Sequence, residues 1–252
     1  MIGVIEAGGM RARLAGAGDR AGLLAMRARA FPHARGRGEG RAPEWEALDD
    51  RCLQLLVEDA RDARPLLSCR ILPLASGRAL EESYSARFYD LSPLGRESRA
   101  MVEIGRFCLA PGGEGFQALR LGWVAVTRIV ARSGAGLLLG CSSFRGTDWR
   151  AHRPALAHLA RHALGPEGLR PLPRAPERVD FPALVGAPEP PPKPTAELTL
   201  PPLLRFYLGM GAWVGDHAVI DSDLETLHVF TCLEVAGVPG ARAARLRGPA
   251  GL

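Results

Sequence analysis

Apolar positions along the chain recur with two different periods, and the switches between them outline the elements. "IGVIEA" near the start reads as a short strand. Asp19 stands where it would cap a helix over residues 20–31, in which Leu23, Leu24, Met26 and Phe31 recur at helical spacing. "PHARGRGEGRAPEWE" (32–46) breaks all periodicity with Gly, Pro and Arg, and predicts a mobile loop of the length that often lies over a site. "RCLQLLVED" and "LLSCRILPL" are strands joined by the turn-like "ARDARP", which predicts an antiparallel pair. "ALEESYSARFYDLSPL" is mixed in polarity and fits a short helix and a connection.

The run "MVEIGRFCLA" (101–110) is a further strand, ended by "APGGEG". "FQALRLGWVAVTRIVARSG" has apolar residues at helical spacing, and "GLLLGCSSF" (136–144) is another buried strand. Strand, glycine turn, helix and strand in that order predict a βαβ unit with parallel strands. Residues 150–163 predict an amphipathic helix. Residues 1–164 thus read as the main core, and the prolines of 165–202, including "PEPPPKP", as a semi-rigid connection. Residues 203–238 supply a short helix and one more strand that complete the same domain, and 239–252 a flexible tail. No internal repeat interrupts this order.

Composition narrows the function classes. The chain has 252 residues with 47% hydrophobic content, enough to bury a sizeable core. No apolar segment approaches the roughly 18–20 residues of a membrane-spanning helix, and the N-terminus lacks a secretion pattern, so a cytoplasmic location is expected. The five cysteines (Cys52, Cys69, Cys108, Cys141, Cys232) are scattered and form no CxxC, which predicts packed thiols and neither disulfide nor zinc site. The net charge is +5, carried almost wholly by arginine, with Lys193 the sole lysine. No nucleic-acid-binding motif accompanies that charge, and no nucleic-acid partner is expected.

The candidate chemistry sits in the 101–110 strand, where Glu103 and Arg106 interrupt an apolar run. An unpaired charge inside a fold is costly, so the two are either a structural ion pair or part of a reaction centre. Alternation in a regular strand would send them to opposite faces; a bulge at Gly105 would bring them to one. "HLARH" spaces His158 and His162 one turn apart, but without a third ligand it predicts a solvated helix face and no metal. Cys141 reads as strand core. Ser142, Ser143 and Asp148, at the end of the 136–144 strand, are either substrate contacts or turn and capping residues. Leu203, Leu204, Phe206, Tyr207, Leu208, Met210 and Trp213 pack the core, line an acyl tunnel or rest on a bilayer.

These words also carry a resemblance. "MRARAF", "LDD", "CRILP" and "EIGRFCLAP", in that order, resemble the acyl-homoserine-lactone synthases, a branch of the GNAT acyltransferases. "YSARFYDLSPL", "EIGRFCLAP", "LLLGCSSFRGTDWRAH" and "LPPLLRFYLGMGAWVGD…VIDSDLETLHVFTCL" resemble the ornithine-lipid N-acyltransferases, from about residue 20 to about residue 235. The resemblance implies an α/β GNAT-like fold with a central mixed, twisted sheet flanked by helices. It implies transfer of a 3-hydroxyacyl chain from acyl carrier protein to the α-amine of ornithine or another amino acid, forming a lyso-ornithine lipid. The donor is the phosphopantetheine arm of the carrier, no bound cofactor is implied, and the lipid product suggests peripheral contact with the inner face of the cytoplasmic membrane.

Carried onto this sequence, the resemblance implies Glu103 as base with Arg106 beside it. It implies Arg27, Phe31, Asp49 and Arg70 as residues that hold the lid and substrate, Asp50 competing with Asp49 for that role and Trp45 being a candidate aromatic. Phe107, Cys108 and Leu109 are the expected contacts of the pantetheine arm and the acyl carbonyl. "APGGEGFQ" carries Glu114 and no base before Arg120, which disfavours the free diphosphate of coenzyme A and favours a carrier-tethered donor. Two alternatives stand beside this reading: an acyl-homoserine-lactone synthase using S-adenosylmethionine, and a non-catalytic acyl-binding or membrane-associated protein on the same fold.

Overall fold

A computed structural model describes residues 2–32, 44–112, 114–185 and 199–247. Most of the loop expected over 32–46, part of the "APGGEG" turn, the "PEPPPKP" run and the last five residues lie outside the described residues. The chain divides into two compact units: the residues up to Pro73, with Val102–Ala135 and the segment from Pro239; and Leu74–Met101 with Gly136–Val238.

The first unit begins with a hairpin of β1 (Ile5–Ala7) and β2 (Met10–Leu14). Gly8 and Gly9 both adopt positive φ, 57° and 74°, the requirement of a tight two-residue hairpin turn. Strand β2, which the periodicity did not mark, pairs antiparallel with β3 (Leu53–Asp59), and β3 with β4 (Pro65–Leu74) as expected. Next to β4 lies β6 (Met101–Leu109), the order being β1-β2-β3-β4-β6.

Two helices take opposite faces of these strands. Leu23 and Met26 of α1 (Arg20–Ala30) pack with Leu56 and Cys108. Helix α2 (Gly115–Ser133) lies on the other face, so close that a Cβ on Gly122 would meet the Leu67 side chain at 3.0 Å. Asp19 precedes α1 as expected but makes no capping bond; its carboxylate is taken by Arg13 at 2.7 and 2.8 Å and by the Gly16 N–H at 2.7 Å.

In the second unit β7 (Leu137–Arg145), β11 (Thr226–Glu234), β10 (Trp213–Asp221) and β9 (Arg178–Asp180) pair antiparallel in that order. A two-stranded ladder joins β5 (Tyr89–Asp90) to β8 (Leu172–Pro173). One face of the large ladder is apolar. Phe144, Val214, Ala218, Leu227 and Val229 pack against α3 (Arg153–His162), α4 (Pro182–Val185) and α5 (Pro202–Gly209) through Leu156, Leu159, Leu184 and Leu204. That packing, with Tyr207 and Met210 also buried, assigns the inner residues of the 203–213 segment to the core.

Four expectations change. Residues 203–238 hold two strands, since β10 follows α5 directly. The 165–202 stretch carries β8, β9 and α4, because β9 completes the sheet edge beside β10. The tail forms a helix, α6 (Gly240–Arg247). Residues 79–94 contribute 3-10 turns at Gly77–Glu82, Ser85–Arg87 and Ser92–Leu94 instead of one helix. The α/β class with helices on the sheet faces stands as expected.

Candidate active site

Register builds the site. Gln54 of β3 stands directly opposite Arg70 of β4, and two-residue alternation places both on the face that carries Leu56. That is the face α1 covers, so α1 brings Arg27 to the same place. The 3-10 turn Asp49–Arg51, just ahead of β3, brings Asp49.

There Arg27 grips Asp49 with both terminal nitrogens, Nη1 to Oδ2 at 2.9 Å and Nη2 to Oδ1 at 2.8 Å, and donates to Gln54 Oε1 at 3.1 Å. Arg70 Nη1 donates to the same Asp49 Oδ1 at 3.2 Å and to Glu46 Oε2 at 3.4 Å. The Glu46 N–H reaches Asp49 Oδ2 at 2.8 Å, and Arg106 pairs with Glu46 Oε1. Arg106 also lies over the Phe31 ring, 5.8 Å from its centroid, and Arg27 over Trp45 at 5.4 Å. Burial raises the Asp49 carboxyl, but the Arg27 bonds and charge, the Glu46 N–H and the Arg70 charge outweigh it and hold the group below the ordinary carboxylate range. Asp50 is exposed and accepts from the Trp45 indole at 2.7 Å. Of the two aspartates, Asp49 is the one inside the lattice.

Strand β6 closes the site with an irregularity. A Cβ built on Gly105 would stand 3.8 Å from the Arg70 guanidinium, so Gly105 faces the lattice. The next residue, Arg106, faces it too, through Glu46, and its φ of 50° lies in the left-handed region. Two consecutive residues on one face are a shift of phase, and it puts Glu103, two before Gly105, on the same side as Arg106. The strained backbone at Arg106 marks this change of phase, on the residue next to Gly105, where the sequence suggested a bulge. Glu103 is 4% exposed. Its charge acts on Cys52 together with those of Arg70, Asp49 and Arg27, and burial is the main cause that pushes the Cys52 thiol up to about 11. Past Arg106, Phe107 points the other way and stacks on Trp123 of α2 at 6.1 Å, Cys108 is buried, and Leu109 is exposed.

Residues 26–134, which contain this lattice, match the acetyltransferase (GNAT) domain family. The chain is 36% identical over 163 residues to the L-ornithine N(alpha)-acyltransferase of Rhodobacter capsulatus, covering 64% of this chain and 61% of that protein. It is 30% identical over 156 residues to the L-ornithine N(alpha)-acyltransferase of Brucella abortus, covering 60% and 54%. The chain thus spans between half and two thirds of the length of these relatives. Among solved structures, the AHL synthase LasI matches with 15% identity and a TM-score of 0.41, over 53% of this chain and 72% of that one.

At the start of α2 stands Glu114, whose carboxylate takes a 2.7 Å bond from Arg64 of the β3–β4 turn. The remaining expected residues belong to the second unit. Ser142 is buried and accepts from Thr231 Oγ1 at 2.8 Å, Ser143 is half-buried opposite His228, and Asp148 caps the 3-10 turn Trp149–His152 by accepting from the Arg150 N–H at 3.1 Å. The structure therefore gathers Arg27, Phe31, Asp49, Arg70, Glu103 and Arg106, and gives Ser142 and Asp148 structural bonds. Sequence reasoning missed Glu46, the acid that ties Arg70 to Arg106. Its spacing of three from Asp49, one turn within "EALD", was the available signal.

Proposed function

We propose that this chain is an N-acyltransferase that moves a 3-hydroxyacyl chain from acyl carrier protein to the α-amine of ornithine, with Glu103 as general base. The observation that carries the reading is the 36% identity with a relative named for acylating the α-nitrogen of ornithine. The buried Glu103, on the same face as a lattice of three arginines, supports it chemically.

An ammonium has no lone pair, so the incoming nitrogen must first lose a proton. Glu103 takes it. The amine then attacks the thioester carbonyl, a C–N bond forms, the nitrogen of the tetrahedral intermediate gives up a second proton, and the C–S bond breaks; one of the two protons goes to the departing pantetheine thiolate and the other to solvent. Backbone N–H groups of Phe107, Cys108 and Leu109, beyond Arg106, are the donors for the oxygen of the tetrahedral intermediate and for the amides of the pantetheine arm. Arg27, Asp49, Glu46, Arg70 and Arg106 hold one another so tightly that the acceptor meets a fixed array of charges. Glu114 and its Arg64 partner neutralise each other at the start of α2, which suits a single phosphodiester better than a free diphosphate.

The test is incubation with 3-hydroxyacyl carrier protein and ornithine, with S-adenosylmethionine in a parallel arm, followed by mass spectrometry of the lipid extract. The expected product is the N-acylated amino acid, and Glu103→Gln lowers its formation by about 10²-fold or more while the variant stays folded. A lactone product from the parallel arm, or unchanged turnover in the variant, refutes the reading.

A further inference from the structure

Helix α2 meets water with an aromatic ring. Its buried residues Ala118, Leu121 and Ala125 recur at helical spacing and form the face laid on the strands. Phe116 and Arg120, one turn apart, stand on the opposite face, and Phe116 is 70% exposed with the Arg120 guanidinium 6.0 Å from its ring centroid. Leu109, the last residue of β6, is 41% exposed, and its side chain turns back onto α2: a Cβ built on Gly115, the residue before Phe116, would meet Leu109 Cδ2 at 3.3 Å. A single exposed apolar residue is ordinary. Two that adjoin, one of them on a helix face that folding alone fills with polar groups, mark a contact surface.

The position of the pair names the partner. Strand β6 leads from Glu103, the proposed base, to the N–H groups of Phe107, Cys108 and Leu109, the proposed track of the pantetheine arm. Those six residues of strand span about 20 Å. The thioester must lie at the Glu103 end for the amine to reach it. The opposite end of the arm, which is joined to the carrier, therefore leaves the track at Leu109, where the apolar pair begins. Acyl carrier protein is acidic, and Arg120 sets a complementary charge at the edge of the pair. Arg64 and Glu114, at the same end of α2, satisfy each other at 2.7 Å, so the two apolar side chains are what remains there to fix a partner.

We propose that Leu109, Phe116 and Arg120 form the surface on which the protein body of the acyl carrier docks, the apolar pair anchoring it and the arginine meeting one of its acids. This rests on the carrier-dependent reading above and adds the carrier's footprint to it.

Phe116→Ser is the test. The ring is mostly in water, so its loss leaves the fold intact, which far-UV circular dichroism checks. Affinity of the full chain for purified holo-acyl carrier protein, labelled with a fluorophore and followed by anisotropy, falls about 10-fold or more in this variant. With 3-hydroxyacyl carrier protein and ornithine, the KM for the carrier rises by a similar factor while kcat and the KM for ornithine stay unchanged. The same acyl group on free pantetheine, which has no protein body, reacts equally well with wild type and variant. Arg120→Gln weakens carrier binding by a smaller factor and flattens its dependence on salt. Because the binding measurement needs no acceptor, a loss of carrier affinity in Phe116→Ser supports the surface even where ornithine is not acylated, and equal affinities refute it even where N-acylornithine forms. A wild type that does not bind the carrier overturns both readings. The inference is also overturned if the free pantetheine thioester suffers the same loss as the carrier-borne donor, or if the variant keeps its carrier affinity and loses binding to anionic phospholipid vesicles instead.

Discussion

Replacing Asp49 by Asn tests whether the charged lattice is as buried and as interdependent as the geometry says. The side chain of Asp49 is 0% exposed and that of Arg27 is 3%, and the carboxylate accepts from Arg27 twice, from Arg70, from Gln54 and from the Glu46 N–H. The substitution keeps the volume but removes the negative charge that two buried guanidiniums share. Breaking a buried pair on one side costs about 3–5 kcal/mol, because the other charge stays behind without compensation. For a chain of this size that lowers Tm by about 10 °C. Urea unfolding followed by far-UV circular dichroism measures it, and Asp50→Asn is the internal control, since that exposed carboxylate contributes under about 1 kcal/mol. The sign with pH follows from the depressed value of Asp49: its contribution is complete above the unfolded carboxyl range and is lost as pH falls through the folded value. The difference between wild type and Asp49→Asn therefore shrinks on acidification. A loss below 1 kcal/mol near neutrality, or one equal to that of Asp50→Asn, refutes the reasoning.

Arg106 is held at a φ of 50°, so Arg106→Gly should be more stable than Arg106→Ala by about 1 kcal/mol, both having lost the Glu46 pair; equal denaturation midpoints would show the strain to be negligible. Gly77→Ala would place a Cβ 2.1 Å from the Leu94 carbonyl oxygen, against backbone that has no free rotamer to yield, and should destabilise by about 2–3 kcal/mol in urea titrations. Burial pushes the Cys52 and Cys108 thiols up to about 11, so both should react slowly with a disulfide reagent at pH 8 in the native protein and quickly once it is unfolded. Mass mapping of the modified residues distinguishes this from fast native labelling.

Local pattern accounts for much of the frame. The helical spacing in 20–31 and 116–134 and the apolar runs at β3, β4, β6 and β7 each produced the element they imply, because burying one face of a helix or a strand needs only the right period. The Glu103 burial was legible for the same reason: a charge within an apolar run is carried inside with its neighbours. Strands β2 and β10 were not legible. "MRARL" alternates only weakly, and "WVGDHAVID" carries a glycine and three ionisable residues; each is a strand because a partner strand was already there to pair with it.

The chemistry divides along the same line. The residue types Arg27, Asp49, Arg70, Glu103 and Arg106 stand in the sequence, together with a glycine able to host a bulge. Which aspartate enters the lattice, that Glu46 binds Arg70 to Arg106, and that Arg106 takes up the backbone strain were decided only when β3, β4, β6 and α1 came together. Period is a property of a few neighbouring residues and survives in the one-dimensional chain, whereas the partner of a buried charge is chosen by contacts tens of residues apart and exists only in three dimensions.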